Sequence, residues 1–80
     1  MRLPRDVSGP DLVRALKVIG YQVSRQTGSH IRLSTSENGK HHITVPNHNP
    51  IRIGTLASIL DDVAVHFAVD RSELVARLNL

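Results

Sequence analysis

The polar tetrapeptide Glu37-Asn38-Gly39-Lys40 lies between two alternating apolar stretches, and it constrains the fold more than any other feature. Asn-Gly is typical of a two-residue hairpin turn. Such a turn would place Leu33 opposite Thr44, so the apolar faces of the two strands would disagree. A three-residue loop, with Gly39 in the left-handed conformation of a bulge, pairs Leu33 with Ile43 instead. The sequence therefore predicts a hairpin in this second register.

The same register arranges the polar side chains of the hairpin. It predicts four further cross-strand pairs: Ile31–Val45, Arg32–Thr44, Ser34–His42 and His30–Pro46. A strand from about His30 to Thr35 then buries Ile31 and Leu33 and turns His30 to the open face. His48 follows the exit of the next strand, so we expect His30 and His48 at the same end of that face.

Helical patterns flank the hairpin. Ser8 and Asp11 form a capping-box pattern, and Gly20 suits the position after a helix end, which predicts a first helix over about 9–19. Tyr21 begins a short alternating strand, with Val23 on the same face, that ends near Arg25. The turn 26–29 follows it.

The second half of the chain is mainly helical. Apolar spacing from Ile53 to Val63 predicts a helix over about 53–64, and residues 65–69 fit either its end or a connector. Asp70 and Glu73 form a second capping-box pattern, which predicts a short helix over about 71–78. The order α-β-β-β-α-α predicts one α+β domain over residues 1–80, with a three-stranded antiparallel sheet and helices on one face.

Charge is distributed unevenly along the chain. Residues 1–40 carry a net charge of +4 and residues 41–80 carry −1. A basic middle third attracts polyanions such as RNA. Tyr21 and Phe67 are the only aromatic residues besides histidine, too few for a base-stacking sheet. The chain has no cysteine and no apolar run of membrane-spanning length, so the expected location is the cytoplasm, without membrane attachment.

Four short elements, in this order and spacing, resemble the HicA toxins of bacterial type II toxin-antitoxin systems. They are Ile19-Gly20-Tyr21, Arg25-Gln26-Thr27-Gly28-Ser29-His30, Thr44-Val45-Pro46-Asn47-His48 and Gly54-Thr55-Leu56-Ala57-Ser58-Ile59-Leu60. The resemblance covers about residues 8–64. It implies a fold like a double-stranded-RNA-binding domain, a metal-independent mRNA interferase activity and inhibition by a HicB antitoxin. No small-molecule cofactor is expected.

In that family the histidine of the Gly-Ser-His element is catalytic, which corresponds to His30, with Gly28 and Ser29 as the turn that positions it. The chain departs from the family at Tyr21, where phenylalanine is common, and at Ile31, where a polar residue or histidine is frequent. The resemblance is loose from His66 onward.

The residues themselves suggest accessory roles. Cleavage of RNA through its own 2′-OH needs a base, an acid and positive charge near the phosphate. The alternation of side chains along the strands allows His48 and His42 to lie on the open face. Either one is therefore a candidate second proton carrier. Three basic residues are candidates for holding phosphates: Arg25, Arg32 and Lys40.

Other side chains are better explained by structure. His41 and His42 are adjacent in a strand and point to opposite faces, so no metal site is predicted. Asp61 and Asp62 are successive helix positions, which favours a solvated surface over a catalytic pair. His66 is expected to be structural.

The alternative function is a non-catalytic module with the same fold that binds RNA or the antitoxin. A reader of double-stranded RNA needs a basic cluster at the start of its last helix. Arg52 is the single basic residue at the start of the predicted helix over 53–64, which disfavours a module that binds double-stranded RNA.

Overall fold

The computed structural model describes residues 3–80, and within them the helices and strands follow the predicted order. The elements are α1 (Gly9–Val18), β1 (Gln22–Thr27), β2 (His30–Thr35), β3 (His41–Pro46), α2 (Ile53–His66) and α3 (Arg71–Leu78). The strands form one antiparallel sheet in the order β1-β2-β3. The helices cover one face and leave the other open, which confirms the α+β architecture.

The β2–β3 hairpin has the predicted register. Leu33 is opposite Ile43, and His30 is opposite Pro46. Gly39 has a φ of 97°, and its N–H donates to the Ser36 carbonyl at 3.3 Å. The need to place both apolar faces on the core therefore decided the register, as expected.

Strand β1 differs from the sequence prediction at both ends. It begins at Gln22 and continues through Thr27, so Gly28 and Ser29 alone form the turn. Val23, predicted to share the buried face with Tyr21, is 41% exposed. The register shifts between Val23 and Arg25, and β1 lies at the sheet edge, so the strand has neither regular alternation nor a neighbour to cover it.

Helix α1 begins and ends with the predicted caps. The Asp11 N–H donates to the Ser8 hydroxyl at 3.1 Å, and the Ser8 N–H donates to the Asp11 carboxylate at 3.3 Å. At the other end Gly20 has a φ of 109°, and the Tyr21 N–H donates to the Leu16 carbonyl at 3.1 Å. This is a Schellman motif, and it brings Tyr21 into the core, where its side chain is 1% exposed.

Helix α2 is longer than predicted and continues through His66, which answers the question left open for residues 65–69. Ile53, expected to face the core, is 53% exposed, and Ile51 is buried instead. The Ile51 N–H donates to the Val7 carbonyl at 2.8 Å. That bond fixes the backbone two residues before the helix begins, so the side chain of Ile51 packs into the core in place of Ile53.

Helix α3 has the predicted bounds and buries Leu74, Val75 and Leu78. Asp70 accepts the Glu73 N–H at 2.8 Å, so it caps the helix, but the Glu73 side chain does not make the reciprocal bond of the predicted capping box. The Glu73 side chain binds Arg77 at 2.6 Å, one turn further along the helix. No helix within residues 3–80 is long and apolar enough to cross a membrane.

Candidate active site

His30 is the first residue of β2 and follows the tight turn of Gly28 and Ser29. Gly28 has a φ of 57°, and Ser29 has a negative φ. A positive φ at only the first central position of a two-residue hairpin loop is the pattern of a type II′ turn. Thr27 lies opposite His30, so the bend occupies no residues beyond these two. The turn therefore fixes the position of the His30 backbone closely.

The His30 side chain lies on the open face of the sheet. Its neighbours along the strand on that face are Arg32 and Ser34, whereas Ile31 and Leu33 are buried on the opposite face. Among residues 3–80, no side chain forms a hydrogen bond or ion pair with the His30 ring. The backbone of His30 is thus fixed, and its ring is available to a ligand.

The segment that carries His48 is attached to the same end of the sheet. The Asn47 N–H donates to the Ser29 carbonyl at 2.7 Å, and the Gly9 N–H donates to the His48 carbonyl at 2.8 Å. A methyl group at Gly9 would lie 2.8 Å from the Asn47 Cα, so the start of α1 packs directly against this segment. Backbone contacts therefore place His30 and the segment that carries His48 at the same end of the sheet.

Arg25 and Arg32 lie directly opposite each other across β1 and β2. Directly opposed residues share a face, so both belong to the open face. The sequence had placed Arg25 at the edge of the turn, but it is inside β1, because the strand continues to Thr27. Neither guanidinium has an acidic partner among the described residues, which leaves two positive charges close to His30.

Lys40 lies at the other end of the sheet. It is exposed in the loop before β3, and with His42 and Ser34 it borders a shallow depression. The sheet therefore separates the predicted basic residues into an Arg25–Arg32 pair near His30 and a lysine far from it.

His42 is held by a chain of hydroxyl groups on the open face. The Ser24 hydroxyl donates to the Arg32 carbonyl at 3.3 Å, and the Ser34 hydroxyl donates to Ser24 at 2.9 Å. The Ser34 oxygen lies 2.6 Å from the His42 Nδ1. Each hydroxyl has one proton, and both are used, so Ser34 accepts from His42 and the Nδ1 atom carries the proton. In the neutral ring, Nε2 is then the free acceptor.

A second polar cluster lies on the opposite side of β3, under the sheet. The Tyr21 hydroxyl is 2.7 Å from the His41 Nδ1, and the His41 Nε2 is 3.2 Å from the Asp62 Oδ1. The His41 and His66 rings stack with centroids 4.3 Å apart. Burial, followed by the nearby Asp62 charge, raises the pKa of Tyr21 to about 12.

This cluster ties the hairpin loop to the end of α2. The His66 Nε2 lies 2.8 Å from the Glu37 carbonyl, and the Asn38 amide donates to the His66 carbonyl at 2.8 Å. The structural role expected for His66 is therefore found. Strand parity places His41 on the core side, but no sequence pattern connects it to Tyr21 or Asp62.

The two neighbouring aspartates of α2 point to different partners, as successive helix positions should. Asp61 binds Arg71 of α3 through two hydrogen bonds of 2.8 and 2.6 Å, and that contact holds the pKa of Asp61 below its usual value. Asp62 binds His41 instead. Within residues 3–80, no group of three His, Asp or Glu side chains is arranged to hold a metal ion.

Sequence reasoning missed the hydroxyl chain that holds His42. Ser24 and Ser34 read as ordinary polar positions of alternating strands, and the bulge that brings Ser24 beside Ser34 has no sequence signal of its own. The pairing of Ser34 with His42 was available from the register and was predicted.

Comparisons with known proteins identify one family. A family model described as the HicA toxin of bacterial toxin-antitoxin systems matches residues 9–65, which is most of the chain. The matched segment runs from the first residue of α1 nearly to the end of α2, so it includes the whole sheet. Neither the curated proteins nor the solved structures contain a match.

Proposed function

This chain belongs to the HicA toxin family of bacterial toxin-antitoxin systems, and from that premise we propose that it is an endoribonuclease that cleaves mRNA in the cytoplasm. His30 is the proposed general acid or base. The observation that carries the proposal is the position of His30, exposed on the open face at a tight turn and beside the Arg25–Arg32 pair.

The proposed reaction uses the chemistry of RNA itself. The 2′-OH is the nucleophile, so the protein has to remove its proton, protonate the leaving 5′ oxygen and stabilise charge on the phosphate. Imidazole is suited to both proton transfers. In this proposal the two arginines hold the phosphate and no metal ion is required.

His48 is the proposed second proton carrier. It follows Pro46, the cross-strand partner of His30, by two residues, and its segment is bonded to Ser29. His42 is less suitable for this step. Its partner Ser34 is four residues beyond His30 on β2, which separates the two histidines by about 13 Å along the strand.

The proposed partner is a HicB-like antitoxin. An inhibitor that covers the open face would block His30 and neutralise the Arg25–Arg32 pair in one contact. Acidic side chains on the inhibitor would match this face by charge.

The test is cleavage of a single-stranded RNA by wild type and by His30→Gln, with and without EDTA. Glutamine keeps hydrogen-bonding capacity but cannot exchange a proton at neutral pH, so we expect at least a 100-fold loss of rate. EDTA should have no effect, and an RNA with 2′-deoxyribose at the cleavage site should be resistant. Lys17→Gln, on the exposed side of α1, is the matched control and should cleave at the wild-type rate.

Expression without antitoxin gives the cellular version of this test. Wild type should arrest growth and degrade mRNA, and His30→Gln should do neither. Equal toxicity of both proteins would remove His30 from the mechanism. Binding of RNA or antitoxin without any cleavage by wild type would instead support the non-catalytic module.

His48→Gln tests the second proton carrier separately. We expect a loss of rate of about 10- to 100-fold and the disappearance of one limb of the pH–rate profile. A wild-type profile in this variant would assign the second proton transfer to another group.

A further inference from the structure

A cleft lies where the edge strand β3 meets α2, and on the sheet it extends from His42 to Arg32. Its volume is about 440 Å³, and it is open to solvent. Ile43 and Ile59 supply its apolar surface. Its polar lining comes from the open face and from α2: Arg32, His42, Thr44, Ser58 and Asp62.

Two of these polar groups present hydrogen-bond acceptors. The hydroxyl chain through Ser34 uses the Nδ1 proton of His42, so any polar contact of the neutral ring inside the cleft is made by the Nε2 lone pair. Asp62 accepts from His41 through Oδ1. Within residues 3–80 its Oδ2 has no hydrogen-bond partner, and a carboxylate at neutral pH only accepts.

Arg32 adds a donor to these two acceptors. Its guanidinium is exposed and has no ion-pair partner among the described residues, so its N–H groups are available to a carbonyl oxygen or a ring nitrogen. The cleft thus combines two acceptors and one cationic donor.

We infer that this cleft is a subsite for a guanine base of single-stranded RNA. The Watson–Crick edge of guanine presents two adjacent donors, N1–H and the 2-amino group, next to the acceptor O6. Asp62 and His42 can accept from the donors. The guanidinium of Arg32 has five N–H donors, so it can give one to O6 and keep others for the phosphate.

The other bases fit this pattern less well. Adenine and cytosine each place a ring-nitrogen acceptor beside their amino group, so one protein acceptor would face a lone pair. Uracil has a single N–H between two carbonyls. An unpaired or repelled acceptor weakens binding, which is how such sites discriminate.

The position of the cleft defines which nucleotide it would hold. His42 lies about 13 Å along the sheet from His30, too far to contact the same phosphate. The inference rests on RNA being the substrate, and it assigns the cleft to a nucleotide that neighbours the cleavage site. Target preference would then come from a base held at β3 and α2, not from His30.

Binding of mononucleotides tests the subsite without any cleavage. Isotope-labelled protein is titrated with GMP, AMP, CMP and UMP, and NMR shifts are followed at His42, Ser58 and Asp62. We expect GMP to bind at least tenfold more tightly than the other three. Equal shifts from all four nucleotides, or shifts that avoid the cleft, would overturn the inference.

Asp62→Asn is the decisive variant. The amide oxygen can still accept from His41, so the fold contact is kept, but the position of Oδ2 becomes an N–H₂ donor. We expect the preference for GMP to fall at least tenfold. Asp61→Asn is the matched control, because that carboxylate binds Arg71, and it should retain the preference.

The protonation of His42 gives an independent check. Ring-nitrogen NMR shifts of the neutral wild-type side chain should show the proton on Nδ1, and Ser34→Ala should remove this bias and weaken GMP binding. A wild-type ring with its proton on Nε2 would contradict the acceptor pattern. GMP selectivity without any RNA cleavage would refute the proposed function alone, whereas cleavage without GMP selectivity would refute the subsite alone.

Discussion

Gly9 and Gly54 are both helical glycines, but their surroundings favour opposite residues. A methyl group at Gly9 would lie 2.8 Å from the Asn47 Cα, whereas nothing lies within 4 Å of the same position at Gly54. Alanine normally stabilises a helix relative to glycine by about 0.5–1 kcal/mol. The space around each glycine therefore decides whether alanine raises or lowers the free energy of unfolding.

Gly9→Ala should lower the free energy of unfolding by about 1–3 kcal/mol, because the backbone of Asn47 must move. Gly54→Ala should raise it by about 0.5–1 kcal/mol. Urea denaturation of both variants measures the pair. A stabilising effect at Gly9 would mean that the backbone of residues 46–48 can move away from the added methyl group without loss of stability.

The phenol of Tyr21 makes stability depend on alkaline pH. Its pKa is raised to about 12 in the folded protein from about 10 in an unfolded chain, so folding favours the protonated form. That contribution is complete below about pH 10 and is lost as pH rises toward about 12. The cause is burial, reinforced by the charge of Asp62.

The free energy of unfolding of wild type, relative to Tyr21→Phe, should therefore fall by roughly 1–2 kcal/mol between about pH 9 and pH 12. Tyr21 is the only tyrosine, so ultraviolet absorbance of the phenolate reports its titration directly. A midpoint near pH 10 in the folded protein would show that the side chain is not desolvated.

Among the elements, α1 is specified by its own sequence. Ser8 and Asp11 bond to each other's backbone, and these bonds lower the pKa of Asp11. A group whose pKa is depressed by folding stabilises the folded state above its unfolded pKa, and the effect is lost as pH falls. The cap of α1 is therefore formed by neighbouring residues, and its contribution to stability falls when Asp11 is protonated.

Ser8→Ala should lower the free energy of unfolding by about 1 kcal/mol at neutral pH, since it removes the acceptor of the Asp11 N–H. Ser72→Ala, an exposed serine inside α3, is the matched control and should change it by less than about 0.5 kcal/mol. Thermal unfolding at neutral and acidic pH compares the two. Equal effects of both substitutions would argue against a capping role.

How far each element could be predicted depended on how local its determinants are. The caps of α1 and the register of β2 with β3 follow from neighbouring residues and from parity, and both were predicted. The extent of β1 was not predicted, because an edge strand with a bulge lacks a regular alternation of buried and exposed side chains. The last turn of α2 depends on bonds between His66 and the distant hairpin loop, which no sequence window contains.

In the candidate site, too, the features set by neighbouring residues were predicted, and those set by distant contacts were not. Parity placed His30, Arg32 and His42 on one face, and the structure agrees. The hydroxyl chain through Ser24 and the opposition of Arg25 to Arg32 depend on the bulge, so they required the structure. The catalytic role of His30 stays a prediction until a variant is assayed.

At the scale of the whole molecule, the open face joins the exposed histidines to the basic half of the chain. Arg25 and Arg32 lie on the same face of the sheet as His30, and each phosphate that they neutralise should release counterions from RNA. Affinity for RNA should therefore fall steeply with salt concentration.

Arg25→Ala and Arg32→Ala should each reduce the slope of log affinity against log salt by about 0.7, the value for a single-stranded ligand. Fluorescence anisotropy with a labelled RNA measures it, in a His30→Gln background that prevents cleavage. Lys17→Ala, whose charge lies on α1, should leave the slope unchanged. Equal changes for all three substitutions would mean that RNA binds without regard to the open face.

Strand β1 leaves one edge of the sheet open to solvent along its whole length. An exposed, regular edge strand can template the addition of strands from other molecules, which leads to aggregation. The shift in register at Ser24 twists this edge and interrupts its row of hydrogen-bonding groups, and Arg25 adds a charge directly beside it. The irregularity that makes β1 hard to predict therefore also helps to keep separate copies of the chain from joining sheet to sheet.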